Sequence, residues 1–97
     1  MSTHYRRDRK YRERRIKRIG DGEIYAEFIV DRGHENGAEK HVITTNGIII
    51  VYNANSGKLV TKLIARPGQI RRYFPEGEAP AEIIEIALQH MLKHLNV

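Results

Sequence analysis

Ninety-seven residues give one domain with a small core. With 40% hydrophobic and 30% charged residues and no cysteine, the chain has ordinary globular composition, and disulfide scaffolds, thiol catalysis and cysteine-based zinc sites are excluded. The net charge is +5, no apolar run approaches the roughly 18 residues of a membrane span, and no apolar stretch follows the basic N-terminus as in a secretory signal, so the expected location is the cytoplasm with no membrane contact.

The charge is unevenly placed. Residues 6 to 18 read RRDRKYRERRIKR and hold nine basic residues against two acids, a net of +7. The remainder carries eight basic and ten acidic residues, a net of −2. Arg6, Arg7, Arg9, Lys10, Arg12, Arg14, Arg15, Lys17 and Arg18 therefore form a cationic leader on a nearly neutral body. Such a cluster displaces counterions from a phosphate backbone and binds it without sequence preference. Seven of the nine are arginine, whose guanidinium makes bidentate phosphate contacts. Tyr5 and Tyr11 add faces for base stacking. The alternatives are a solvated tail or another acidic partner. Arg, Lys and Glu favour a short helix here, with Ile16 and Ile19 spaced to dock its last turn. Gly20-Asp21-Gly22 ends it, dividing a basic arm over 1–20 from a domain over 21–97.

Residues 23 to 31 alternate, placing Ile24, Ala26, Phe28 and Val30 on one face of a strand. After a polar connection, KHVITT and IIIVYN flank Asn46-Gly47, a pair suited to a type I′ hairpin. A two-residue loop sets Ile43 opposite Ile50 and His41 opposite Tyr52. One face then carries His41, Ile43, Thr45, Ile48, Ile50 and Tyr52, and the other Val42, Thr44, Ile49 and Val51. A four-residue loop, ANSG, leads into KLVTKLIAR and pairs Tyr52 with Leu59. Leu59, Leu63 and Ala65 join the His41 face, and Val60, Lys62, Ile64 and Arg66 the other. A loop one residue different would exchange these faces. Arg66-Pro67-Gly68-Gln69 ends the strand, and IRRYF is a short strand or irregular edge. Residues 80 to 95 form a helix, with Ile84, Leu88, Met91 and Leu95 as its stripe, widened by Ile83, Ala87 and Leu92.

The expected fold is α+β: an antiparallel four-stranded meander with a C-terminal helix on one face and a short basic N-terminal helix. Both faces of the central hairpin are apolar. Either the N-terminal helix or a second copy covers the second face, so a homodimer is plausible.

His90 and His94 have the i, i+4 spacing of a zinc pair, but nothing completes the set, and imidazoles suit a helix C-terminus. No metal or cofactor is expected. Ser2 and Ser56 sit where local backbone structure explains them. The remaining polar group comprises His41, Thr44, Lys62, Arg66, Arg71, Arg72 and Tyr73. Metal-free RNA cleavage needs a base, an acid and cations around phosphorus, which these residue types supply. Lys62 and Arg66 are about 13 Å apart along an extended strand, suiting successive phosphates. His41 faces the opposite way, which counts against one compact site holding both.

With HVIT, GIIIVY and GKLVTKLIAR following a basic segment, residues 10 to 74 resemble the small bacterial ribonuclease toxins of the barnase/RelE type. The resemblance implies a sheet from which His, Lys, Arg, Thr or Tyr side chains cut RNA without metal, with His41 and Arg66 as the catalytic candidates. The expected function is a small nucleic-acid-binding protein of bacterial or phage type, with RNA the foremost ligand. It would use the nine leader cations together with Lys62, Arg71 and Arg72. The alternatives are a metal-independent ribonuclease and a self-associating accessory protein.

Overall fold

The computed structural model describes residues 19–31, 33 and 37–94. The leader cations at 6, 7, 9, 10, 12, 14, 15, 17 and 18, and the helix expected there, lie outside the described residues, as does the far end of the C-terminal stripe at Leu95. Four strands follow in chain order: β1 (Ile24–Val30), β2 (Glu39–Thr44), β3 (Ile48–Asn53) and β4 (Leu59–Ile64). They form one antiparallel sheet in the order β1-β2-β3-β4, the expected meander. Two helices follow, α1 (Pro67–Arg71) and α2 (Ala81–His94), completing an α+β fold. No helix among the described residues is long and apolar enough to cross a membrane.

The central hairpin departs from the two-residue reading. Ile43 pairs with Ile49, Val42 with Ile50 and His41 with Val51, a slip of one residue. A type I′ turn needs positive φ at both central residues, and Asn46 does not adopt it. Instead the Gly47 amide donates to the Thr44 carbonyl at 3.0 Å, and Gly47 alone enters the left-handed region at φ +73°. This is a three-residue loop closed by a glycine bulge. Asn46 is recruited elsewhere: its side-chain amide donates to the Gly20 carbonyl at 3.3 Å, tying the turn to the segment that leads into β1.

The slip moves Ile48, Ile50 and Tyr52 off the His41 face and brings Ile49 and Val51 onto it. The next loop has the expected four residues and the expected Tyr52–Leu59 pair. A bulge at Val60 then shifts the register, so Ile50 pairs with Lys62 and Ile48 with Ile64. Lys62 and Ile64 thus share a face with Val42, as expected, while Leu59 lies with Tyr52 on that same side. In β1 a second irregularity between Ile24 and Ala26 leaves Ile24 exposed and turns Tyr25 onto the core.

The His41 face holds the larger core. Ile43, Ile49 and Val51 pack with Ala65, Ile70, Ile83 and Ala87, and Phe28, Leu63 and Phe74 close around them. The turn expected at Arg66–Gln69 and the start of IRRYF, read as a strand or edge, instead form a helix over Pro67–Arg71, and Arg72, Tyr73 and Phe74 follow it as a turn. Pro67 opens α1 with a preset φ, Gln69 Oε1 accepts the Arg66 amide at 2.9 Å, and Ile70 is the buried anchor. In α2 the stripe centres on Ile83 and Ala87, both fully buried, while Leu92 is 49% exposed, so the helix is rotated from the expected axis. The second face buries Val42, Ile48, Ile50 and Ile64, none more than 7% exposed. Among the described residues, Ile19 and Tyr52 pack against this cluster. The chain leading out of the leader therefore seats on the sheet face opposite α2.

Candidate functional site

On the larger core's side, a cavity of about 430 Å³ opens beside the outer end of β2. This is within the range of small-ligand sites. Ile49, Val51 and Leu63 supply its apolar lining, and Glu39, His41, Thr61, Gln69, Arg72 and Tyr73 its polar lining. Glu39 and His41 reach it together because residues two apart on a strand share a face. Tyr73 arrives from the turn that continues α1, where its amide donates to the Ile70 carbonyl at 3.1 Å. Its ring stacks at 5.1 Å on Phe28, which Phe74 meets edge-on at 5.2 Å. This aromatic trio fixes the phenol over β2.

His41 is the centre of the arrangement. It is only 5% exposed, and both ring nitrogens are engaged. An ionised carboxylate only accepts, so His41 Nε2–H donates to Glu39 Oε1 at 3.1 Å. In the neutral imidazole the other nitrogen, Nδ1, then accepts from the Tyr73 hydroxyl at 2.5 Å. Carboxylate, imidazole and phenol thus form one hydrogen-bonded chain beside the cavity. Arg72, exposed on the cavity wall, supplies a positive charge beside it.

The sequence candidates separate. His41, Arg72 and Tyr73 meet at the cavity. Arg66, exposed in extended backbone just before α1, is not among its lining residues, and Arg71 is exposed on α1. Lys62 projects from the opposite face, and its ammonium donates to both oxygens of Asp21 at 2.8 and 2.9 Å. Lys62 and Arg66 therefore do not form the expected phosphate pair along one strand, because β4 ends at Ile64 and the chain turns into α1. Thr44 Oγ1 accepts the Asn46 and Ile48 amides at 3.3 Å and belongs to the hairpin turn. His90 packs beneath Gly47, and its partner in the i, i+4 pair, His94, has no described side chain. Glu39 was missing from the candidates. Its alternation with His41 was the available signal, hidden because a lone acid beside Lys40 reads as solvated strand surface.

Away from the cavity, the Tyr25 phenol is held above its ordinary value of 10, first by burial and then by its hydrogen bond to Glu82. That bond links β1 to the first turn of α2. In comparisons with known proteins, no family model, curated protein or solved structure matches this chain. The resemblance to ribonuclease toxins therefore rests on the quoted motifs alone.

Proposed function

We propose that the protein binds nucleic acid, RNA above all, by gripping the phosphate backbone with its Arg-rich leader in the cytoplasm of a bacterium or a phage-infected cell. The observation that carries this reading is the segregation of charge: +7 over residues 6 to 18 against −2 elsewhere. Two features of the body support it. Lys62 is already engaged by Asp21, and Lys40 lies 5.4 Å from the centroid of the Tyr52 ring, so neither is a loose cation. The test keeps the full chain and replaces Arg6, Arg7, Arg9, Arg12, Arg14 and Arg15 with glutamine. Fluorescence anisotropy with labelled RNA at low salt should show affinity falling by about a hundredfold or more. Undiminished binding refutes the reading.

A second reading, a metal-independent ribonuclease, is favoured by the Glu39–His41–Tyr73 chain. In it the imidazole and phenol exchange protons with a ribose hydroxyl and a leaving oxygen, and Arg72 takes the catalytic cation's place in preference to Arg66. It ranks second because Arg66, one of its two catalytic candidates, is not among the residues that line the cavity. Cleavage in EDTA that is lost in His41→Ala and Tyr73→Phe would establish this reading. Intact RNA after incubation with the folded protein would dispose of it.

A further inference from the structure

Beyond the buried cluster on the face where Ile19 packs, the sheet carries an outer row contributed by all four strands. Ile29 pairs with Lys40, Lys40 with Tyr52, and Tyr52 with Leu59, so these four side chains stand side by side across the sheet. Its two ends are apolar and exposed, Ile29 at 66% and Leu59 at 54%, and Lys40 and Tyr52 between them are half-buried. At about 4.8 Å per strand interval it spans about 14 Å.

We infer that this row receives the unstacked bases of a single strand, and that the preferred ligand is therefore single-stranded RNA. The inference rests on the leader binding phosphate, and it adds what the bases touch. A duplex keeps its bases stacked on one another and offers mainly phosphate and sugar to a shallow protein face. A single strand exposes base faces, and sheet platforms of this width take two or three of them on aromatic and apolar side chains. Tyr52 is the aromatic in the row, and the Lys40 ammonium lies over its ring at 5.4 Å from the centroid. Ile19, the first described residue after the leader, packs on the same face of the sheet.

The same apolar row would in principle suit a second copy of the chain. Charge decides against that occupant. Two copies brought together would each carry a net charge of +5 and repel, whereas a polyanion neutralises that charge.

The test uses the full-length chain with two labelled RNAs of equal phosphate count, an unstructured single strand and a blunt hairpin duplex. Anisotropy at fixed salt should give at least tenfold tighter binding of the single strand. Leu59→Ser, Ile29→Ser and Tyr52→Ala should each weaken single-strand binding, about tenfold for Tyr52→Ala, and leave duplex binding unchanged. Leu59 and Ile29 are exposed, so their variants fold even if Tyr52→Ala does not. Leu92→Ser, an equally exposed apolar residue on α2 across the sheet, should change nothing. Equal affinity for the two RNAs, or single-strand affinity untouched by Leu59→Ser and Ile29→Ser, overturns the base-contact inference while phosphate capture stands. Binding of neither RNA overturns phosphate capture itself. An RNA-free dimer in sedimentation that Leu59→Ser dissociates would assign the row to a second copy and overturn the inference.

Discussion

Removing one hydroxyl, in Tyr73→Phe, tests whether His41 is held as described. The substitution deletes the O–H that donates to His41 Nδ1 and leaves the ring on Phe28 at 5.1 Å, so no apolar void opens. His41 is 5% exposed, so its orphaned nitrogen regains little from bulk solvent. An unsatisfied buried acceptor costs about 1–3 kcal/mol. The adjoining cavity of about 430 Å³ has room for water beside the pair, which places the cost near the lower end, about 1–1.5 kcal/mol. For a domain of this size that is a fall in Tm of roughly 4–12 °C. Urea and thermal unfolding followed by circular dichroism measure it. Because Glu39 holds the other nitrogen of the same imidazole, the double variant with Glu39→Gln should deviate from additivity by about 0.5 kcal/mol or more. A Tyr73→Phe protein as stable as the parent, with the two substitutions simply additive, would refute the hydrogen-bonded chain.

Gly47→Ala should cost more than Gly57→Ala, though both glycines have φ +73°. Both lose roughly 1–2 kcal/mol to left-handed backbone, but at Gly47 the new Cβ lies 3.2 Å from His90 Cβ and must push α2, whereas Gly57 faces open space. Equal losses in urea melts would contradict the packing of the turn against α2. Ile83→Ala should lose about 2–5 kcal/mol and Leu92→Ala no more than about 0.5, and comparable losses would show the helix axis to be misplaced. Folding favours the neutral Tyr25 phenol, whose pKa is raised in the native state. That contribution is complete below the ordinary value of 10 and is lost as pH rises through the higher folded value. Tyr25→Phe should accordingly lose less stability than the parent between about pH 9 and pH 11.5, and parallel curves would remove Tyr25 as a source of alkaline sensitivity.

The meander was legible because period-2 alternation, Asn46-Gly47 and ANSG punctuate the strands strongly. The faces of the central hairpin were not. They depend on a single residue of loop length, and Asn-Gly serves a two-residue turn as readily as a glycine-bulged three-residue one. The side-chain amide of Asn46 contributes to the choice by bonding back to Gly20, a partner 26 residues away that no local pattern reveals. The bulge at Val60 likewise follows from tertiary packing, since β4 must present both Leu59 to one face and Leu63 to the other. Helix α1 was obscured because Pro67-Gly68 reads first as a turn; the side-chain carbonyl of Gln69 and the burial of Ile70 convert that turn into a short helix. At the site, His41, Arg72 and Tyr73 were recognisable by chemistry alone. Glu39 became recognisable only once the strand's alternation placed it beside His41, and the pairing of Lys62 with Asp21 needed the fold to bring together residues 41 apart.

Phosphate capture by the leader is tested most directly by the salt dependence of RNA affinity. Nine cations on a single strand correspond to a slope of log K against log salt approaching about −6, at roughly 0.7 per neutralised phosphate. Replacing six of the leader arginines with glutamine should flatten that slope to about −2. A slope that stays the same in the neutralised protein would locate the grip on phosphate elsewhere in the chain.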